Sequence, residues 1–121
     1  MITSANLYDF LVADTALNAL IGNNVYPIQA PQNCSAPYII YQRIATQPMA
    51  TLGEATGNQF DLIQFSCFAT TFEEVDSVGL ALVAALDGAV VHANDNATLQ
   101  SRRDGYEEAV ELYRVDCDFL V

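Results

Sequence analysis

Residues 59–88, QFDLIQFSCFATTFEEVDSVGLALVAALDG, decide the fold because they place a β-strand directly before an amphipathic helix. Both faces of the strand at 59–69 are largely apolar, which is typical of a central strand covered on both sides. Thr71 and Glu74 have the spacing of a capping box, in which each side chain accepts a hydrogen bond from the other residue's backbone N–H. Apolar residues then recur along one stripe, and Gly88 ends the predicted helix.

The segment at 4–21 is also predicted to be helical, as a helical hairpin or a kinked helix. Leu7, Phe10 and Leu11 fall on one face, Asp14 has the chemistry of a second N-cap, and Gly22 supplies a stop. The next apolar stretch contains Pro27, which has no backbone N–H and therefore allows at most an edge strand at 25–28. Residues 38–45 are rich in β-forming side chains and predict the first strong strand.

The C-terminal segment alternates strictly between two kinds of side chain. The apolar set is Tyr113, Val115, Cys117 and Phe119, and the polar set is Arg114, Asp116 and Asp118. This pattern predicts a half-buried strand with its polar face in water. With weaker strands at 89–92 and 97–103, we expect a single α+β domain over residues 1–121. Its mainly antiparallel sheet of four to five strands would pack against the N-terminal helix and one central helix.

Two connecting segments are predicted to be irregular. Residues 47–58 contain Pro48, Gly53 and the pair Gly57–Asn58, and are longer than the usual hairpin loop. Long loops in compact domains are often functional. The second segment, 104–111, begins with Asp104-Gly105, which is typical of a turn.

The charge of the chain restricts its partners. It has no lysine, and fifteen acidic residues face four arginines, for a formal net charge of −11. Binding around nucleic acid or on an anionic membrane needs clustered Lys or Arg, so neither is expected. The charge permits a protein that lies near DNA without binding it, or one that imitates DNA. A hydrophobic content of 52% excludes a disordered chain.

The compartment can also be predicted. No apolar run approaches the roughly 18 residues of a membrane span. Residues 1–6 carry no basic side chain, so a secretory signal is not expected. The three cysteines form no metal spacing, and Cys67 and Cys117 lie in apolar runs as expected of buried thiols in a reducing compartment. We therefore expect synthesis in a cytoplasm.

Catalytic signals are weak, and we predict no enzyme, metal or cofactor. The lone His92 lies beside a turn without a nearby Cys or paired carboxylate, and is better explained as a surface residue. Asn94-Asp95-Asn96 lacks the glycine and glutamate of a calcium loop. The cluster of Glu107, Glu108 and Glu111 could hold a hard cation, but a solvated acidic loop is the simpler interpretation. Arg102-Arg103, beside Asp104, predicts ion pairs within the chain or across an interface.

The order of these signals resembles the tail-completion (tail-terminator) family of long-tailed, siphovirus-type bacteriophages. The stretches that carry the resemblance are Leu7 to Gly22, Val25-Tyr26-Pro27, Ala30-Pro31-Gln32, Ala36-Pro37-Tyr38-Ile39-Ile40-Tyr41, Gln64 to Glu74, and Leu112-Tyr113-Arg114-Val115-Asp116-Cys117-Asp118-Phe119. The likeness covers nearly the full chain.

The resemblance implies a small α+β subunit of the virion that assembles as a ring, usually a hexamer, at the head-proximal end of the tail. Such a ring ends polymerisation of the tail tube and joins the tail to the head. Its implied partners are further copies of the chain, the major tail-tube protein and a head-completion or neck protein. DNA would pass through the lumen without specific binding.

The resemblance also makes both irregular segments candidates for contacts to these partners. The candidate contact residues are Gln47, Met49, Leu52, Glu54, Asn58, Asp104, Tyr106, Glu107, Glu108 and Glu111. The candidate inter-subunit ion-pair residues are Arg43, Arg102, Arg103 and Arg114.

Size agrees with a ring, and two other interpretations stay open. A domain of this length has a diameter near ~35 Å, and six such spheres leave a central hole of about 35 Å, wide enough for duplex DNA. The chief alternative is a cytosolic acidic inhibitor that mimics DNA, although the acids are scattered along the chain and several suit helix starts. The third interpretation is a small metabolic enzyme or ligand-binding regulator, for which no pocket can be read from the sequence.

Overall fold

A computed structural model describes residues 4–31, 35–51, 54–88, 90–92 and 95–120, with side chains described for 7–31, 35–45, 61–88 and 97–120. The elements in chain order are α1 (Ser4–Ala13), α2 (Thr15–Ile21), β1 (Val25–Pro27), β2 (Tyr38–Thr51), β3 (Glu54–Ala69), α3 (Phe72–Leu86), β4 (Val90–His92), β5 (Asp95–Asn96), β6 (Thr98–Glu107) and β7 (Leu112–Leu120). None of the helices in the described segments is long and apolar enough to cross a membrane.

The N-terminal helical segment is divided at Asp14, as its capping chemistry predicts. The Asp14 carboxylate accepts a hydrogen bond from the Leu17 N–H at 2.9 Å, so α2 begins with a satisfied backbone donor. Gly22 follows α2 with φ of 62°, and its N–H donates to the Asn18 carbonyl. The predicted break within residues 4–21 is confirmed, since α1 ends at Ala13 and α2 begins at Thr15. The Asp14 cap favours two short helices over one because it satisfies a backbone donor at the start of α2.

The central helix, α3, also begins where it was predicted. The Thr71 hydroxyl accepts a hydrogen bond from the Glu74 N–H at 3.2 Å. The inward stripe of α3 is buried and consists of Val75, Val78, Gly79, Leu82 and Leu86. At Gly79 an added Cβ would lie 3.1 Å from Val115 Cγ1, so the missing side chain lets α3 approach β7 closely.

The strands form a five-stranded sheet in the order β1-β2-β3-β7-β6, beside a two-stranded β4-β5 ribbon. β1 runs parallel to β2, and the other neighbouring pairs of the larger sheet are antiparallel. The α+β class with a mainly antiparallel sheet is thereby confirmed, with β3 at its centre. The strand that contains Pro27 lies at the edge, where a missing N–H costs no ladder bond.

The hydrophobic core lies between the helices and one face of this sheet. β3 contributes Phe65 and β7 contributes Phe119, whose rings meet edge to face with centroids 5.6 Å apart. Leu11, Leu17 and Leu82 cover them from the three helices and are fully buried. Edge-to-face contact is a favoured arrangement for aromatic pairs, and here it joins the neighbouring strands β3 and β7 on the core side of the sheet.

The opposite face of β7 differs from the sequence prediction. Asp116, expected in water, is only 7% exposed. The Arg114 Nε lies 3.1 Å from Asp116 Oδ2, so the charge of the buried carboxylate is offset by the guanidinium beside it. The polar face of β7 is therefore partly buried and not fully exposed to solvent.

Candidate assembly surfaces

The β2-β3 hairpin extends far beyond the rest of the sheet. β7 pairs with β3 only as far as Leu62, opposite Leu120, whereas β2 and β3 remain paired up to Thr51 and Glu54. We call residues 46–51 and 54–60 the arm. With a rise of roughly 3.3 Å per residue, the arm projects about 20 Å past the last β3-β7 pair.

The predicted loop at 47–58 is therefore wrong, because the described residues on both sides of 52–53 belong to the paired strands β2 and β3. Gln47 pairs with Phe60, and Glu54 pairs with Thr51. Leu52, also named as a contact candidate, lies outside the described residues.

The residues that predicted a turn in this segment, such as Pro48 and Asn58, lie at an irregularity within the arm. The register shifts between Pro48 and Ala50, so Met49 lies in the irregular part, with Asn58 on the facing strand. Proline removes a ladder donor, and a bulge is one of the few places in a sheet that accommodates it. The same residues thus bend a long hairpin where they were expected to end a strand.

The root of the arm carries an ion pair and a second bulge. Arg43 Nε lies 3.4 Å from Asp61 Oδ2, and the Asp61 side chain is only 2% exposed while that of Arg43 is 37% exposed. Between Arg43 and Ala45 the register shifts, which leaves Ile44 as an extra residue, 46% exposed. A bulge raises the local twist, so the direction of the arm is set at this point.

The second predicted loop, 104–111, is also mostly strand. β6 continues to Glu107, with Asp104 opposite Val115 and Tyr106 opposite Tyr113, so the turn expected at Asp104-Gly105 is wrong. Asp104 is held by Arg102, Nε to Oδ1 3.6 Å, in place of turning the chain. The connection shrinks to residues 108–111, and Glu111 closes it with φ of 54°.

Three partly exposed aromatic rings lie at this end of the sheet, which we call the aromatic end. The Tyr106 and Tyr113 ring centroids are 5.0 Å apart, and those of Phe72 and Tyr113 are 6.2 Å apart, both edge to face. Their exposed fractions are 47% for Phe72, 49% for Tyr106 and 37% for Tyr113. Only Tyr106 was among the predicted contact residues.

Glutamates lie close to these rings in the sequence. The first turn of α3 and the end of the β6-β7 hairpin together carry Glu73, Glu74, Glu107, Glu108 and Glu111. The arginine in these segments, Arg114, has its Nη1 3.0 Å from Glu107 Oε2. Beside them runs a groove of about 450 Å³ whose lining includes Pro31, Tyr38, Thr70, Val110 and Leu112. The aromatic end is thus both apolar and strongly acidic.

All four arginines form ion pairs within the chain. The pairs are Arg43–Asp61, Arg102–Asp76, Arg102–Asp104, Arg103–Asp118, Arg114–Glu107 and Arg114–Asp116. Arg102 joins α3 to β6 through Asp76, and Arg103 joins β6 to β7 through Asp118 at 3.0 Å. The chain thus neutralises its own cations, and their role between subunits stays a prediction.

The described interior contains two buried thiols, which contribute to packing. Cys67 and Cys117 are free and buried; burial raises the pKa of Cys117 to about 11 and that of Cys67 well above its usual value, so both thiols are protonated at neutral pH. Within the described segments, no three His, Cys, Asp or Glu side chains come together as metal ligands would. Among the described residues, the features suited to contact with other molecules are the arm and the aromatic end.

The comparisons with known proteins agree with an assembly role. The model of the family described as "Tail completion protein gp17" matches residues 5–121. A similar solved chain belongs to the virion of a native gene transfer agent particle, with 21% identity, a TM-score of 0.79, and coverage of 96% of this chain and 90% of that chain; this likeness shows the fold. No curated protein matches the chain. Because the family match extends over nearly its whole length, the chain belongs to the tail completion protein gp17 family and is a structural protein of the phage virion tail.

Proposed function

We propose that the chain forms a closed ring at the head-proximal end of the tail tube, where it ends tube polymerisation and joins the tail to the head or neck. The observation that carries this proposal is the arm. Its strands pair with each other well beyond the β3-β7 ladder, so they extend the subunit past its own core. An extension of this kind suits contact with a neighbouring subunit or with the tube end.

The arm makes the interface between subunits heterologous. One subunit would place its arm on a different surface of the next, and such contacts close into a ring when the rotation between neighbours allows it. The arm extends from β2 and β3, which are inner strands, whereas β6 is the last strand in the sheet order. Six copies would leave a hole of about 35 Å, whereas three would leave almost none.

The charge distribution supports passage of DNA without specific binding. Duplex DNA carries one negative charge per roughly 1.7 Å, so a lumen with unpaired arginines would retain it. Here each arginine is paired with an acid of its own chain, and the net charge is −11. The same pairs weigh against a DNA mimic, because Asp61, Asp76 and Asp118 are engaged with arginines and are not arrayed as phosphates.

The first experiment is quantitative mass spectrometry of purified virions, with this chain counted against the major tail-tube protein. A closed terminal ring gives a few copies per particle, about six at that symmetry. A copy number that scales with tube length would contradict a terminal ring. Absence from particles, with abundant protein in infected cells, would favour the inhibitor.

A further inference from the structure

From the aromatic end we infer a partner that is not a second copy of this chain: a different virion protein with an apolar pocket flanked by lysine or arginine side chains. This inference rests on the proposed place of the chain at a tail junction, and adds the chemistry of the protein it joins. It also assigns a role to Phe72 and Tyr113, which the predicted contact residues do not include.

The three rings have the composition of a binding anchor. Aromatic side chains bury a large apolar area at low entropic cost and are enriched among the residues that dominate binding energy. Phe72, Tyr106 and Tyr113 each leave between 37% and 49% of their surface exposed, although Tyr113 belongs to the alternating apolar set of β7. Val110, 51% exposed, extends the apolar surface into the turn.

The rings are also held in place before any partner arrives. Tyr106 and Tyr113 are opposite each other in the β6-β7 register, and Phe72 directly follows the Thr71 cap of α3. Tyr113 lies between the other two rings, with edge-to-face contacts on both sides. An anchor that is already ordered loses little conformational freedom on binding.

The surrounding charge determines what kind of partner fits. Five glutamates stand in the segments that carry the rings, against one arginine that is already paired with Glu107. A partner with acidic or neutral surroundings would leave these carboxylates repelled or poorly solvated at the rim. A pocket with a basic rim pairs with them and gains association rate as well as specificity.

A second copy of this chain is a poor source of that rim. The chain has no lysine, and its four arginines are each within ion-pair distance of an acid on the same chain. Two aromatic ends brought face to face would instead oppose glutamates to glutamates. Charge complementarity therefore commits the aromatic end to a different protein, and leaves contacts between copies to other surfaces.

The test is site-specific cross-linking in assembled particles. The photoreactive residue p-benzoylphenylalanine replaces Tyr106 in one variant and Leu80, which is 57% exposed in the middle of α3, in the control variant. The expected adduct at position 106 joins the chain to another virion protein, at a peptide with lysine or arginine beside the cross-link. An adduct with a second copy, an adduct at a peptide without basic residues, or no adduct at 106 overturns the inference.

Matched substitutions measure the contribution of each feature. Phe72→Ser should lower the fraction of tails joined to heads by roughly tenfold or more, and Leu80→Ser by less than about twofold. Glu108→Lys should lower it several-fold, while Asp9→Lys, the same change at an exposed acid of α1, should not. Equal effects within either pair overturn the inference. The copy number per particle, measured separately, decides the proposed ring, so the failure of one proposal is distinguishable from the failure of the other.

Discussion

The two ends of the five-stranded sheet are built on different principles. At one end the arm extends about 20 Å on backbone pairing between β2 and β3. At the other end, β6 and β7 close in a short turn, and the surface is made by three rings and five glutamates. β3 runs from one end to the other, from Glu54 in the arm to Ala69 beside the aromatic end.

This difference agrees with the two kinds of recognition that we propose for one subunit. The two strands of the arm pair with each other through their backbones, so we expect the contacts proposed for the arm to depend on its length and direction. Contacts through the aromatic end depend on a few side chains and on charge. A protein that must bind copies of itself and a different partner benefits from keeping the two kinds of contact at opposite ends.

The largest expected effect follows removal of the arm. Replacing residues 47–60 by Asn-Gly joins Thr46 to Asp61, which are paired in the register, through a two-residue hairpin turn. We expect a folded chain by circular dichroism, but a loss of incorporation into particles of about a hundredfold or more, since every interface of the proposed ring would be lost together.

Phe72→Ser serves as the comparison for the arm deletion, because it should leave incorporation unchanged and lower only joining to heads. An arm-deleted chain present at the normal copy number would remove the arm from the interface between subunits. Counting this chain in purified particles by mass spectrometry decides between the two results.

Two ion pairs, one near each end, allow a matched test of burial. Arg43 and Arg114 have similar exposure, 37% and 35%, but the Asp61 side chain is 2% exposed and that of Glu107 is 41% exposed. Asp61→Asn should lower the free energy of unfolding by about 2 kcal/mol, because a buried partner of a charge is lost. Glu107→Gln should lower it by less than about 0.5 kcal/mol. Urea unfolding measures both, and similar costs would contradict the role assigned to burial.

Local chemistry predicted the fold well wherever an element has its own start and stop. Asp14, Gly22 and Thr71 act through neighbours within five residues, so their effects can be read from sequence. The arm could not be predicted in this way, because Pro48 and Gly57–Asn58 have the same composition in a loop as in a bulge. Which of the two forms depends on pairing between distant residues.

The candidate site was predicted less completely for the same reason. Tyr106 was named from its segment, but Phe72 and Tyr113 lie 41 positions apart in sequence and meet only through the placement of α3 on the sheet. Tyr113 continued the apolar alternation of β7 and was expected to be buried, yet it is 37% exposed. Its neighbours in space are rings that alternation along one strand cannot reveal.

The thiols between the two ends give a smaller, pH-dependent effect. Burial raises the pKa of Cys117 to about 11, whereas in the unfolded chain a cysteine ionises near pH ~8.5. Between these values the unfolded chain binds fewer protons than the folded chain, so stability is complete below about pH 8.5 and falls as the pH rises. At pH 9 the loss is about 1 kcal/mol for Cys117, and Cys117→Ala should flatten the slope between pH 8 and 10. An unchanged slope in urea titrations would contradict this assignment.

Backbone strain should give effects of about 1 kcal/mol or less, again with one residue toward each end. Ile28, on the arm side of β1, has φ of 63° and is 73% exposed, while Glu111, in the turn at the aromatic end, has φ of 54°. A β-branched residue is disfavoured in this region more than an unbranched one, and glycine is not. Ile28→Gly should therefore raise the free energy of unfolding by about 1 kcal/mol, and Glu111→Gly by about 0.5 kcal/mol.

The Ile28 N–H, which donates to the Tyr41 carbonyl at 2.8 Å, is retained in the glycine variant. Ile28→Ala removes the same exposed side chain but keeps a Cβ, so thermal unfolding of the two variants separates backbone strain from loss of the apolar surface. If alanine stabilises as much as glycine, strain is not the cause.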